Sequence, residues 1–111
     1  FETVGKTRVL WLEGGIGPGS AAHVSTALNQ TSRYDEVWLN SGGGLVSDGF
    51  EIGRRLRSLK ATVRVPNLDK VRCASSCTNL MLGGYNRIVD EGARFYVHAK
   101  SGVLEITETS E

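Results

Sequence analysis

Apolar residues along this chain come in short continuous runs that alternate with stretches of helical spacing. Val9, Leu10, Trp11 and Leu12 stand side by side, which suits a strand buried on both faces, as in a parallel sheet covered by helices. The stretch 8–16 thus opens as a strand, and GGIGPGS is a turn. Ser20 can cap a following helix that carries Ala21, Val24, Ala27 and Leu28 on one face. A polar loop over 29–34 leads to a second strand over 36–41, which runs straight into Gly42, Gly43 and Gly44. From 45 to 59 the apolar positions Leu45, Gly49, Ile52, Leu56 and Leu59 recur at threes and fours, the spacing of a helix. Its polar side holds Asp48, Glu51, Arg54, Arg55 and Arg57, with Glu51 and Arg55 set for an i,i+4 ion pair. A third strand is expected over 61–65, ended by Pro66, and a polar loop over 67–72. A further helix is expected from near Ser75 to Gly83 and Gly84. Two more strands are expected over 86–89 and 94–99, and the tail over 103–111 is weakly strand-like and then acidic. Strand and helix therefore alternate, as in α/β folds with a parallel sheet.

A length of 111 residues fits one domain, and such a chain buries about two-thirds of its unfolded surface. No repeat or linker divides it. Thirteen Lys and Arg against twelve Asp and Glu leave a net charge of +1, which argues against a dedicated nucleic-acid binder. No apolar stretch approaches the ~18 residues of a membrane span. The start at Phe1 has neither an initiator Met nor a signal-peptide pattern, and reads as a processed chain or an excised domain. Glycine is the unusual component: 14 residues against only 2 prolines, where a typical share is ~7%. The glycines cluster at 14–19, 42–44 and 83–84, which marks places of positive φ or close backbone approach.

Two strand-to-helix turns can carry chemistry. In Asn40-Ser41-Gly42-Gly43-Gly44 the glycines open a helix and leave free N–H groups that can hold a phosphate or an oxyanion. The stretch fits neither the dinucleotide pattern nor a phosphate-binding loop, and a tight turn without a ligand fits it equally well. In Cys73-Ala74-Ser75-Ser76-Cys77 small residues surround hydroxyls at a helix start. Ser75 or Ser76 there is a candidate nucleophile beside backbone N–H groups, or simply a helix cap. His98, in the apolar strand, is a candidate general base, or a structural histidine. His23 reads as a surface or half-buried residue of its helix, and the arginines of 54–57 as a solvated face. Cys73 and Cys77, four apart, are within disulfide reach in a first helical turn. The alternative is two small buried thiols. They lack the partners of a zinc site, and neither a metal nor a cofactor is expected.

Taken together, NSGGGLVSDG, CASSCTNLMLGG and RFYVHA, in this order, resemble the Clp protease/crotonase superfamily, and most nearly the serine peptidases of Clp type. The Cys-Ala-Ser-x-Cys box is similar to that of Clp-like proteins outside the cytoplasm. The resemblance covers roughly 9–100. It implies a ββα spiral with a largely parallel sheet flanked by helices. It implies Ser75 as nucleophile, with Ser76 as the rival, and His98 as general base. Backbone oxyanion contacts at Gly43, Gly44 and Ser76 follow from the same motifs. Gly42 stands where the family has proline. It further implies a peptide or protein substrate, assembly into homo-oligomers, and an extracytoplasmic or periplasmic location, with a cytoplasmic one as the alternative. The family's third catalytic residue, an aspartate well downstream of the histidine, has no match. Glu105, Glu108 and Glu111 do not align with it, and Lys100 does not match the lysine of Ser–Lys relatives.

Three functions fit these residues. The first is a Clp-like serine hydrolase. The second is a non-catalytic binding or assembly module that keeps the fold without the acid. The third, a crotonase-type acyl-CoA enzyme, suits a much longer chain with an adenine-binding segment.

Overall fold

The computed structural model describes the backbone of residues 2–30, 34–99 and 102–106, and side chains over 3–29 and 34–96. Strand β1 (Glu2–Val4) folds back antiparallel on β2 (Thr7–Glu13). Helix α1 (Ser20–Gln30) leads to β3 (Glu36–Asn40), and α2 (Val46–Ser58) to β4 (Thr62–Val65). Then follow β5 (Arg72–Ala74), α3 (Cys77–Gly83), β6 (Asn86–Val89), β7 (Arg94–Ala99) and β8 (Gly102–Ile106). The main sheet runs β1-β2-β3-β4-β6, and every pair in it beyond β1 is parallel. A second sheet, β5-β7-β8, pairs β5 with β7 in parallel and β7 with β8 antiparallel. The expected α/β architecture, a mostly parallel sheet flanked by helices, is the one found. Among the described residues no helix is long and apolar enough to cross a membrane.

The alternation of side chains along each strand sorts the sheet into two faces. Leu10, Val37, Leu39, Val63 and Val65 join Ile52 and Leu56 of α2 and Leu80 and Met81 of α3 in one apolar core. On the other face Trp11 and Trp38, cross-strand neighbours, meet edge to face at 5.3 Å. Beside them Arg64 bonds both Glu36 and Asp90, and the Trp38 indole N–H donates to Glu36 at 2.8 Å. The hydrogen bond from Arg64, ahead of the one from Trp38, holds the Glu36 carboxyl below its ordinary pKa. The run at β2 is thus not uniformly buried: Val9 and Leu10 are, whereas Trp11 and Leu12 are half-buried.

Helix starts and ion pairs differ from expectation. Ser20 begins α1, but its hydroxyl accepts the N–H of Gly17 at 2.8 Å. The Ala21 N–H goes instead to the Asp48 carboxylate of α2 at 3.0 Å, and a negative charge is the stronger acceptor at a helix N-terminus. Glu51 pairs with Arg54 at 3.4 Å rather than with Arg55, because Arg55 reaches across to the Asn29 side-chain oxygen on α1. The last helix starts two residues later than expected. The stretch 72–74 is strand, held by β7 on one side and by a single bridge to Ser41 on the other.

Helices α2 and α3 pack through glycine. A Cβ on Gly53 would lie 2.6 Å from the Asn79 carbonyl oxygen, and one on Gly83 would overlap the Gly53 carbonyl oxygen. This close approach sets α3, and the turn that begins it, firmly against α2.

Candidate active site

The two turns singled out in the sequence meet at the ends of β3 and β5. Ser41 ties them together: its N–H donates to the Arg72 carbonyl at 2.8 Å, and its carbonyl accepts the Ala74 N–H at 3.0 Å. Past Ser41 the chain turns through Gly43 at φ 97° and Gly44 at φ 147°, conformations that side-chain-bearing residues rarely adopt. Space excludes a side chain as well. A Cβ on Gly43 would stand 2.6 Å from Ser75 Cβ, 2.7 Å from the Ala74 oxygen and 3.0 Å from Ser76 N. One on Gly44 would overlap the Ile16 carbonyl oxygen. The turn is laced to Ile16, whose N–H donates to the Gly43 oxygen at 2.9 Å and whose oxygen accepts the Leu45 N–H at 2.8 Å.

On the other side, Ser75 links β5 to α3 at φ 56°, in the left-handed region. For a non-glycine residue this costs roughly 1–2 kcal/mol. Several bonds hold it there. Its N–H donates to the Tyr96 carbonyl at 3.2 Å, and its own carbonyl accepts the Thr78 N–H at 2.9 Å and the Thr78 hydroxyl at 2.7 Å. Cys73 and Cys77, both buried, form a disulfide across the turn with their Cα atoms 5.3 Å apart.

The two adjacent serines differ. Ser75 is partly open to solvent, whereas Ser76 is 3% exposed and its hydroxyl finds no partner among the described residues. Neither acts as the expected cap by side chain: Ser76 is the N-cap residue of α3 but makes no capping bond. The three backbone groups proposed for an oxyanion are also not equivalent. The Gly43 N–H donates to the buried Ser41 hydroxyl at 3.0 Å, whereas the N–H groups of Gly44 and Ser76 have no partner among the described residues. A hydroxyl that accepts the N–H two residues on is a familiar turn device. Serine just before the glycines was therefore a signal that Ser41 shapes this turn.

His98 lies on β7, two residues beyond Tyr96, the register partner of Ala74. Its side chain lies outside the described residues. Glu105 lies on β8, where its backbone pairs with Tyr96. Lys100, Glu108 and Glu111 lie outside the described residues. His23 is exposed on α1. A cavity of about 390 Å³ between β2, the 14–20 turn and α1 borders the site at Ser41, and Ser75 does not line it. Among the described residues no group of three or more His, Cys, Asp or Glu is placed to hold a metal ion.

No protein-family model and no curated protein sequence matches the chain. Solved structures do. A mutant of ClpP1 from Listeria monocytogenes is 27% identical, with a TM-score of 0.64 over 86% of this chain and 58% of its own. A serine-to-alanine mutant of the membrane-bound stomatin-specific protease 1510-N is 14% identical, with a TM-score of 0.59 over 88% of this chain and 53% of its own. A lysine-to-alanine mutant of that protease, in complex with a substrate peptide, is 15% identical, with a TM-score of 0.58 over 90% of this chain and 50% of its own. The chain thus has the Clp-type fold that its motifs resemble, and spans 50–58% of the length of these structures.

Proposed function

We propose that this chain, with its Clp-type fold, is the catalytic part of a serine hydrolase that acts on peptides or proteins, with Ser75 as nucleophile. The observation that carries this reading is the Ser75 backbone: φ 56° in a sharp turn from β5 to α3, with the side chain partly open and set against Gly43. Backbone strain of this kind clusters at active sites. A serine on a tight strand-to-helix turn has its oxygen lifted clear of the sheet, where a carbonyl can reach it. The likeness to ClpP1 and to the stomatin-specific protease supports peptide-bond chemistry.

In this mechanism the Ser75 oxygen attacks the substrate carbonyl and its proton passes to His98. Negative charge then grows on the carbonyl oxygen. The N–H groups of Gly44 and Ser76 receive it, and Gly43 borders the hole with its own N–H held by Ser41. His98 returns the proton to the leaving amine, and water repeats the sequence to release the acyl group. The Cys73–Cys77 disulfide supports an oxidising, extracytoplasmic setting.

A fluorophosphonate probe tests the assignment. The folded chain is labelled, digested and mapped, and the adduct is expected on Ser75. An adduct on Ser76 alone would move the nucleophile by one residue. Absence of any adduct on either serine would leave the non-catalytic binding module instead.

A further inference from the structure

We infer that Arg72 selects substrates carrying a carboxylate next to the bond cut at Ser75, an inference that rests on the hydrolase reading above. Arg72 is the outward-facing residue of β5, between Val71 and Cys73, both buried. Its backbone is fixed on both sides to the glycine turn. The Arg72 N–H donates to the Asn40 side-chain oxygen at 3.2 Å, and its carbonyl accepts the Ser41 N–H at 2.8 Å. The side chain then lies over Gly42, with Nη2 only 2.5 Å from the point where a Cβ on Gly42 would stand. The missing side chain at 42 and the guanidinium of 72 are a matched pair: the arginine occupies the space that glycine leaves.

Arg72 is an exposed residue, and among the described residues no carboxylate pairs with its guanidinium. Arg64, by contrast, is saturated by Glu36 and Asp90. Arg72 is therefore a cation held one residue from Gly43, which itself touches Ser75. A planar guanidinium with a fixed backbone suits a carboxylate, which it can grip through two parallel hydrogen bonds. The carboxylate has two sources: an Asp or Glu side chain flanking the scissile bond, or the C-terminus of a short peptide.

Binding to the Ser75→Ala chain tests this without requiring turnover. The probes are fluorescein-labelled hexapeptides of alanine and leucine, carrying Glu or Gln at each position in turn. Each is made with a free C-terminal acid and as the amide, and is read by fluorescence anisotropy. At least one Glu position, or the free acid, should bind roughly fivefold tighter than its neutral counterpart, the scale of an exposed charge pair. The ratio should shrink as salt rises. Position dependence with Glu points to a side-chain carboxylate, and an acid-over-amide preference points to the terminus.

Arg72→Gln should bring the ratio to one, and Gly42→Ala should lower it by displacing the guanidinium while keeping the charge. Equal binding of all acidic and neutral pairs, or a preference that survives Arg72→Gln, overturns the inference. Failure of fluorophosphonate labelling would remove the hydrolase reading and leave this binding ratio to be judged by itself.

Discussion

Gly43 and Ser75 meet surface to surface: a methyl group added to Gly43 would lie 2.6 Å from the Ser75 Cβ. One residue shapes the turn proposed to hold the oxyanion and the other is the proposed nucleophile, so neither can shift alone. Gly43→Ala adds a steric clash to the strain of a side chain at φ 97°, a combination expected to cost about 3 kcal/mol of stability. Activity should fall on the order of a hundredfold or more, because the clash displaces the adjacent Gly44 N–H, a donor to the oxyanion in the proposed mechanism. Urea unfolding and hydrolysis rates on the same preparation separate the two effects. A variant that unfolds at the parental urea concentration and keeps the parental rate would contradict the geometry.

The adjacent hydroxyls give opposite expectations. Ser75→Ala should abolish fluorophosphonate labelling and turnover while leaving the fold intact. Ser76→Ala removes a buried hydroxyl that has no hydrogen-bond partner among the described residues. It should be neutral or stabilising by about 1 kcal/mol, because an unsatisfied buried polar atom is lost. Labelling at Ser75 should persist in that variant. A loss of several kcal/mol on Ser76→Ala would mean that its hydroxyl is satisfied after all.

The Cys73–Cys77 disulfide closes a very short loop around the turn, with a sequence separation of 4. Chain-entropy reasoning gives such a loop about 2 kcal/mol of stabilisation. The double Cys73→Ser, Cys77→Ser variant should therefore melt roughly 10 °C lower. Its labelling rate at Ser75 should fall further than the change in folded population explains, since the bond braces the strained residue itself. Equal labelling rates in the oxidised and reduced chain, both folded, would deny the bond any part in holding Ser75.

Acid should weaken the charged face of the sheet. The Arg64 hydrogen bond holds Glu36 below the ordinary carboxylate pKa, which is about 4.3 in an unfolded chain. A depressed native pKa contributes stability that is complete above the unfolded value. It is lost as pH falls through the lower native one. The urea midpoint should hold from neutral pH to about 5 and then decline. Glu36→Gln should flatten that decline and cost on the order of 1 kcal/mol at pH 7. An unchanged acid limb in the variant would assign the effect to other carboxylates.

The helix α2 and strands β3, β4, β6 and β7 were legible in the sequence because runs such as 61–65 and the threes and fours of 45–59 leave few alternatives. Strand β5 was not: Arg72, Cys73 and Ala74 carry no strand pattern, and only Ser41 and β7 on either side make them one. The opening β1 was missed for a similar reason, since its pairing with β2 supplies what its three residues lack. At the candidate site, the motifs singled out the two turns of Ser75 and the glycines, which the structure brings together, and Ser41 could have been found from turn chemistry. The left-handed backbone of Ser75 and the lie of Arg72 over Gly42 could not, because both follow from contacts between segments far apart in the chain.

The glycine seam between α2 and α3 has an outcome for genetics. Gly53 and Gly83 touch each other's helix and do not touch Ser75, yet α3 begins at the turn that carries Ser75. A side chain at either position must push the helices apart, and the push is delivered along α3 to the serine. A saturation screen read only by activity would therefore rank these two silent glycines beside Ser75, the proposed nucleophile. The map of essential residues would be larger than the map of chemical ones, with the difference lying along that seam.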